Sequence, residues 1–298
     1  MHQVTDVSTA TIDIDFYSLI NLKYTMKLLL YLIIIKLFFS FNFIYACTGI
    51  FGAQNGLVLA GNNEDWSDPI TYVWFNPSTD KKFGTVYFGF GDNFPQGGMN
   101  DQGLFFDAFA TERLQVRRNK NKPVFSGNLA DKVMSECSTV KEVIEVYRKY
   151  NLQFLEKAMY LFGDKTGNSV IIEGDDFVPK SSKYQIVTNF HQSKIKPDSI
   201  TCNRYKIAKD MLEKCNEVSI DCFMRVLAAT HQEGRSNTVY SNIYDLKKGL
   251  IYLYHYHNYT NQVIINLEDE LKKGPQKYRL SNFFPRSHAY ETKADLFE

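Results

Sequence analysis

Met26-Lys27-Leu28, an apolar run through Leu28–Tyr45, and then Ala46-Cys47-Thr48-Gly49 form the stretch on which the reading of this chain turns. A basic start, an apolar centre and a small residue at the end are the features of a removable secretory signal. Cleavage after Ala46 makes Cys47 the first residue of the mature protein. One residue then carries both a thiol and a free α-amine. The thiol is a nucleophile, and the amine titrates at about pH 8, close enough to neutrality to take the thiol proton. Ile44 is larger than the residue such a signal prefers two places before the cut, and Lys36 interrupts the apolar run. Two other readings stay open. Leu28–Ala46 is long enough for an uncleaved membrane anchor. Ile44-Tyr45-Ala46-Cys47 also partly matches a lipoprotein signal, in which acylation would cap the amine. Residues 1–25 are polar and without clear periodicity. They read as an upstream extension, with 26–46 as the signal peptide and 47–298 as one domain. The expected location is secreted, periplasmic or lumenal, with membrane contact only if the leader is retained or Cys47 is lipidated.

The charge balance narrows the partners. The formal net charge is +1 and no long run of one sign occurs, so nothing calls for nucleic acid or an anionic surface. The 23 Phe and 19 Tyr suit either a strand-rich core or an apolar substrate cleft. Cys137, Cys202, Cys215 and Cys222 form no close pair with zinc-type spacing, and His191, His231, His255, His257 and His288 do not complete one. Four cysteines in an exported chain allow three disulfide pairings. Cys215 and Cys222, on helical segments, also read as buried thiols.

Downstream of Cys47 the periodicity is that of strands: Cys47–Ala53, a turn at Gln54-Asn55-Gly56, and Leu57–Gly61. Further strands are expected at Tyr72–Phe75, Thr85–Phe90 and Leu104–Phe109. Two helices follow, around Leu129–Met134 and Val140–Tyr147, the second opened by Thr139 and Glu142 as a capping box. Strands return at Ala158–Phe162, Ser169–Glu173 and Tyr184–Thr188. A helical pair is expected at Arg204–Glu213 and Ile220–Thr230, then strands at Thr238–Asp245, Gly249–His257 and Gln262–Leu267. The tail after Lys272 is polar and reads as less ordered. Sheet, helices, sheet, helices, sheet without βαβ alternation predicts an α+β fold with helices packed on antiparallel sheets.

A cysteine nucleophile needs an oxyanion donor, something to hold the amine, and positive charge near a thiolate. Asp65, in Gly61-Asn62-Asn63-Glu64-Asp65-Trp66, would return beside Cys47 through the hairpin. Asn189 ends an apolar strand, where an amide donor is well placed. Arg204, in Thr201-Cys202-Asn203-Arg204-Tyr205, opens a helix. Arg235, in Glu233-Gly234-Arg235-Ser236-Asn237, precedes a strand and is a weak substrate-contact candidate, a surface role being the competing reading. Each has an ordinary alternative as a turn residue or a solvated charge.

Taken in order, Cys47-Thr48, Gly61–Asp65, Met99-Asn100-Asp101-Gln102-Gly103-Leu104, Thr188-Asn189, Asn203-Arg204-Tyr205 and Asp245-Leu246-Lys247-Lys248-Gly249 resemble the choloylglycine hydrolases. These are linear amide C–N hydrolases of the N-terminal nucleophile type, including bile salt hydrolases and penicillin V acylases. The resemblance implies a four-layer αββα sandwich of antiparallel sheets. It implies Cys47 as nucleophile with its own amine as base, Asp65 as the orienting carboxylate, and Asn189 as the side-chain half of an oxyanion hole. The other half is a backbone N–H near Ala110, and Arg204 is the arginine beside the nucleophile. The implied substrate is a small N-acyl amide, with no cofactor and no metal. Where the family usually has an arginine this chain has Asn62, which removes a charge and makes Asn62 a weak substrate-binding candidate. The short connection from Asn189 to Arg204 argues against the tetramer that bile salt hydrolases build from a long extension there. A ceramidase- or N-acylethanolamine-type lipid amidase, an acyltransferase, and a non-catalytic anchored binding protein are the alternatives.

Overall fold

Asn55 and Gly56 take φ +51° and +82°. Two successive left-handed residues make the tight turn whose twist matches a hairpin, and Asn-Gly is the pair that tolerates it. The turn joins β1 (Thr48–Gln54) to β2 (Leu57–Trp66) in a register that sets Thr48 opposite Asn63. The computed structural model describes Lys27 and residues 47–297. Apart from Lys27, the expected extension 1–25 and signal 26–46 lie outside the described residues. The elements below belong to the unit Tyr45–Glu298.

In chain order, β3 (Tyr72–Asn76), β4 (Thr85–Gly89), β5 (Pro95–Asn100) and β6 (Leu104–Ala110) come next, then helices α1 (Leu129–Glu136) and α2 (Val140–Tyr147). Strands β7 (Ala158–Asp164), β8 (Ser169–Glu173), β9 (Asp176–Pro179) and β10 (Tyr184–Val187) precede α3 (Asn203–Lys214) and α4 (Ile220–Thr230). Then come β11 (Asn237–Asp245), β12 (Leu250–His255), β13 (Asn258–Asn266), α5 (Leu267–Leu271), β14 (Gln276–Arg279) and α6 (His288–Ala294). One antiparallel sheet runs β10-β1-β2-β11-β12-β13 and the other β14-β3-β4-β5-β6-β7-β8-β9.

Strand alternation explains the layering. Along β2, Ala60 joins the core between the sheets, with Phe51, Phe88, Phe105 and Phe109, while Leu59 faces Phe223 and Leu227 of α4. A third cluster seats Val133, Val143 and Tyr147 of α1 and α2 on Phe106 and Phe162 of the second sheet. Each such ring or branched chain contributes about 1.5–3 kcal/mol of burial. The layers are therefore helix, sheet, sheet, helix, as the α+β expectation required. Asn128 caps α1, Ser219 caps α4, and Thr139 with Glu142 forms the expected capping box on α2.

One open reading is decided and one expectation needs correction. Cys215 and Cys222, open between a disulfide and buried thiols, form a disulfide, because the α3–α4 hairpin returns the end of one helix to the first turn of the next. Cys137 and Cys202 stay free. The tail after Lys272 is ordered: β14 pairs with β3, setting Gln276 opposite Phe75 and Arg279 opposite Tyr72. Tyr278 packs edge-on against Phe75, Lys277 covers the Tyr72 ring at 4.3 Å, and Leu280 is buried. A few apolar residues at alternate positions suffice to dock a segment whose average composition is polar.

Candidate active site

Cys47 immediately precedes β1, and the hairpin register brings the end of β2 beside it. Its Sγ lies 4.0 Å from the Asp65 carbonyl oxygen. The thiol is buried at the base of a cavity of about 440 Å³ whose walls include Trp66, Phe90, Phe94, Phe109, Phe154 and Tyr160. A second cleft, of about 560 Å³, at Asp101, Lys165 and Lys247, has neither cysteine nor histidine in its walls.

One chain of hydrogen bonds ties three distant segments to the nucleophile. Arg204, in the first turn of α3, donates to the Cys47 carbonyl at 2.5 Å and to Thr48 Oγ1 at 3.0 Å. Its other terminal nitrogen donates to Asn189 Oδ1 at 3.0 Å, and Asn189 Nδ2 donates to the Ala110 carbonyl at 2.8 Å. A guanidinium offers several donors in a fixed fork, so a single side chain fixes the start of β1 and the amide of Asn189 together. Asn189 keeps one amide N–H beyond the bond to Ala110. The short link between Asn189 and Arg204 is shaped by Glu173, which accepts from the Gln192 and Ser193 backbone nitrogens at 2.7 and 2.9 Å.

Carboxylates dominate the electrostatics. Burial pushes the Cys47 thiol well above its usual range, and Glu64, Asp65 and Asp107 push the same way; a hydrogen bond to the Asp65 backbone opposes them. Asp65 is pushed up to about 8 by burial, against the hydrogen bond from Thr238 and the Arg204 charge. The Thr238 hydroxyl donates to Asp65 Oδ1, whereas buried Oδ2 has no partner among the described residues. Glu64 is raised by burial and by the Asp65 charge, with the nearby Cys47 thiol opposing them. Asp107 is raised by burial and by Glu64.

The structure therefore gathers Cys47, Asp65, Asn189, Arg204 and Ala110 at one place. Two weaker candidates fall elsewhere. Asn62 points between the sheets from a position opposite Gly49 and Asn242, and neither end of its amide has a partner among the described residues. It does not line the cavity, and neither does Arg235, which sits in the loop between α4 and β11. Reasoning from sequence missed Glu64, Asp107 and Thr238, and also Tyr240 of β11, which is buried in the same cluster as Cys47 and whose phenol is pushed up by burial and then by Glu64 and Asp107. Asp107 had a readable signal, a single carboxylate inside the apolar strand Leu104–Ala110. Its carboxylate occupies space left by Gly97, where a Cβ would lie 2.6 Å from Asp107 Oδ1.

No family model matches this chain, and no curated protein matches it. Solved structures do. A mutant conjugated bile acid hydrolase from Clostridium perfringens superposes with a TM-score of 0.63 at 16% identity, covering 81% of this chain and 99% of its own. Penicillin V acylase from Agrobacterium tumefaciens gives 0.62 at 19% identity, covering 79% of this chain and 92% of its own. At such low identity the likeness carries architecture rather than activity. This chain has a four-layer αββα sandwich of antiparallel sheets, the fold of these solved structures.

Proposed function

We propose that this protein is an amidase that hydrolyses a linear amide C–N bond, with Cys47 as nucleophile once cleavage after Ala46 has freed its α-amine. The observation that carries this reading is the convergence on one buried thiol: Arg204 holds the Cys47 carbonyl, Asn189 stands beside that arginine, and Asp65 Oδ2 has no partner among the described residues. The two solved structures with this fold are named as a bile acid hydrolase and an acylase, which points the same way.

The steps follow from the groups present. The α-amine takes the Cys47 proton, directly or through one water, and the thiolate attacks the carbonyl carbon of the substrate. The spare N–H of Asn189, with a backbone N–H near Ala110, receives the oxyanion; such a donor is worth about 3–4 kcal/mol. The C–N bond breaks as the ammonium returns its proton to the leaving amine. Water, deprotonated by the same amine, then cleaves the thioester and releases the acid. An amine in place of water would make the site an acyltransferase.

Processing also adds a positive charge to that of Arg204. Three carboxyl groups press the thiol toward its neutral form while the Cys47 nitrogen is a peptide nitrogen. A liberated ammonium beside Asp65 Oδ2 stabilises carboxylate and thiolate alike. The uncleaved chain is therefore expected to be inactive, whatever its folded state. The aromatic walls of the cavity favour an acyl group with apolar character, such as a phenoxyacyl, fatty acyl or steroid acyl.

The test is intact-mass analysis of exported protein together with turnover of a panel of N-acyl amides. A free cysteine at the new terminus with turnover supports the amidase. Turnover by Cys47→Ala, or an active form with residues still joined ahead of Cys47, sinks it. A diacylglyceryl adduct without turnover would mark an anchored binding protein instead.

A further inference from the structure

Outside the nucleophile site, the histidines that showed no zinc-type spacing in sequence are brought together by the fold. His231 directly follows α4, Glu233 lies in the loop leading to β11, and His257 sits in the link between β12 and β13. Tyr256 and His257 both take left-handed backbone angles, φ +49° and +46°. Each such non-glycine residue costs about 1–2 kcal/mol, so the turn is held by its surroundings. Its result is to lay the His257 ring against His231, with centroids 5.4 Å apart and planes 22° apart. Glu233 Oε1 lies 3.0 Å from His231 Nε2, and the ligand atoms of all three residues lie within 4.8 Å of one another.

Proton bookkeeping sharpens the point. His231 Nδ1 lies 2.5 Å from the Ala228 carbonyl, an oxygen that can only accept, so Nδ1 carries a proton. Nε2 is then turned toward a carboxylate oxygen, and two acceptors face one another unless a cation lies between them. That cation is a second proton or a metal ion.

We propose that His231, Glu233 and His257 bind one divalent transition-metal ion of the zinc class. Two imidazole nitrogens and one carboxylate select zinc, cobalt or nickel over calcium and magnesium, which prefer all-oxygen shells. Donors on a tetrahedral zinc at about 2.1 Å stand roughly 3.4 Å apart, so the arrangement needs only small side-chain rotations to close. The Nδ1–carbonyl bond is the outer support that metal-bound histidines commonly have. Glu233 is exposed, which gives the ion access from solvent and leaves a fourth position to water.

The site would also stiffen the loop that serves Asp65. Gln232, between two of the ligands, donates its backbone N–H to Thr238 Oγ1 at 2.8 Å and accepts the Thr238 N–H at 2.9 Å. The Thr238 hydroxyl in turn donates to Asp65. An ion at His231 therefore clamps the segment on which the Thr238–Asp65 bond rests. Binding of the metal does not depend on the amidase reading; this consequence does.

The test is titration of metal-stripped protein with Zn²⁺ and Co²⁺. Expected are one equivalent bound, a higher melting temperature, and a cobalt spectrum with visible ligand-field bands but no sulfur-to-cobalt charge transfer. Glu233→Ala and His257→Ala should each weaken Zn²⁺ binding at least about tenfold, and Cys47→Ser should leave it unchanged. Because Glu233 is on the surface, its variant keeps the test valid even if His257→Ala fails to fold. Absence of stoichiometric binding, equal affinity in Glu233→Ala, or loss of binding only with Cys47→Ser would overturn the proposal.

Discussion

Asn62 and Asn63 are neighbours of the same type on one strand, both buried, and their surroundings could hardly differ more. Asn63 faces the helices: its Nδ2 donates to the Leu227 carbonyl at 2.9 Å and to Thr230, while its Oδ1 accepts from Ser241 and Tyr259. Asn62 faces the second sheet, and neither end of its amide has a partner among the described residues. The contrast extends to whole layers. The helix-facing side of this sheet is largely apolar, with Asn63 bonded at both ends of its amide, and α3 and α4 over it are stapled by Cys215–Cys222. The inner side near Cys47 holds atoms of Asn62, Glu64, Asp107, Tyr240 and Asn242 that have no partner among the described residues. An unmade buried hydrogen bond costs about 1–3 kcal/mol, so this end of the sandwich trades stability for reactive groups. The satisfied face is architecture, and the unsatisfied face is where chemistry is expected.

The contrast is broken most severely at Cys47. Cys47→Ala should leave folding intact and lower amide turnover at least about a thousandfold, read as kcat/KM on mature protein. Asn189→Ala should lower kcat about a hundred- to a thousandfold with little change in KM; an effect confined to KM would reassign Asn189 to substrate binding.

Stability separates the two asparagines. Asn63→Ala removes bonds to the Leu227 carbonyl, Thr230, Ser241 and Tyr259 and should cost about 1–3 kcal/mol in urea unfolding. Asn62→Ala should change stability by less than about 1 kcal/mol, since it removes a desolvated amide that has no partner to lose. Equal costs at the two positions would end the distinction between the faces.

The smallest expected effect is a slope. Asp65 titrates at about 8 in the fold and near 4 in the unfolded chain, so between these values the folded state holds the extra proton. Stability then falls as pH rises through that window, by up to about 1.4 kcal/mol per pH unit for one such group. Glu64 and Asp107, raised in the same direction, steepen the fall. In the uncleaved chain, Glu64→Gln or Asp107→Asn should flatten the curve of unfolding free energy against pH. A curve that rises from pH 5 to 8 would contradict the assigned electrostatics.

Local chemistry accounts for what was legible from residues alone. Alternation of apolar side chains marked most of the strands, Asn55-Gly56 marked the hairpin, and Thr139-Glu142 marked a helix start, because each is decided within a few residues. The order of Cys47, Asp65, Asn189 and Arg204 along the chain was readable through resemblance, although no spacing rule links them. The docking of β14 and the Cys215–Cys222 bond escaped notice because both depend on which segment lies across from which. Glu64, Asp107 and Tyr240 come from three strands in two sheets, and only the stacking of those sheets turns them toward one thiol. His231 and His257 likewise meet across a loop and a strained turn. Sequence determines a residue's chemistry and its local path. Tertiary structure decides which charges share a low-dielectric space, and that sharing sets whether a carboxyl, a thiol or an imidazole is ordinary or reactive.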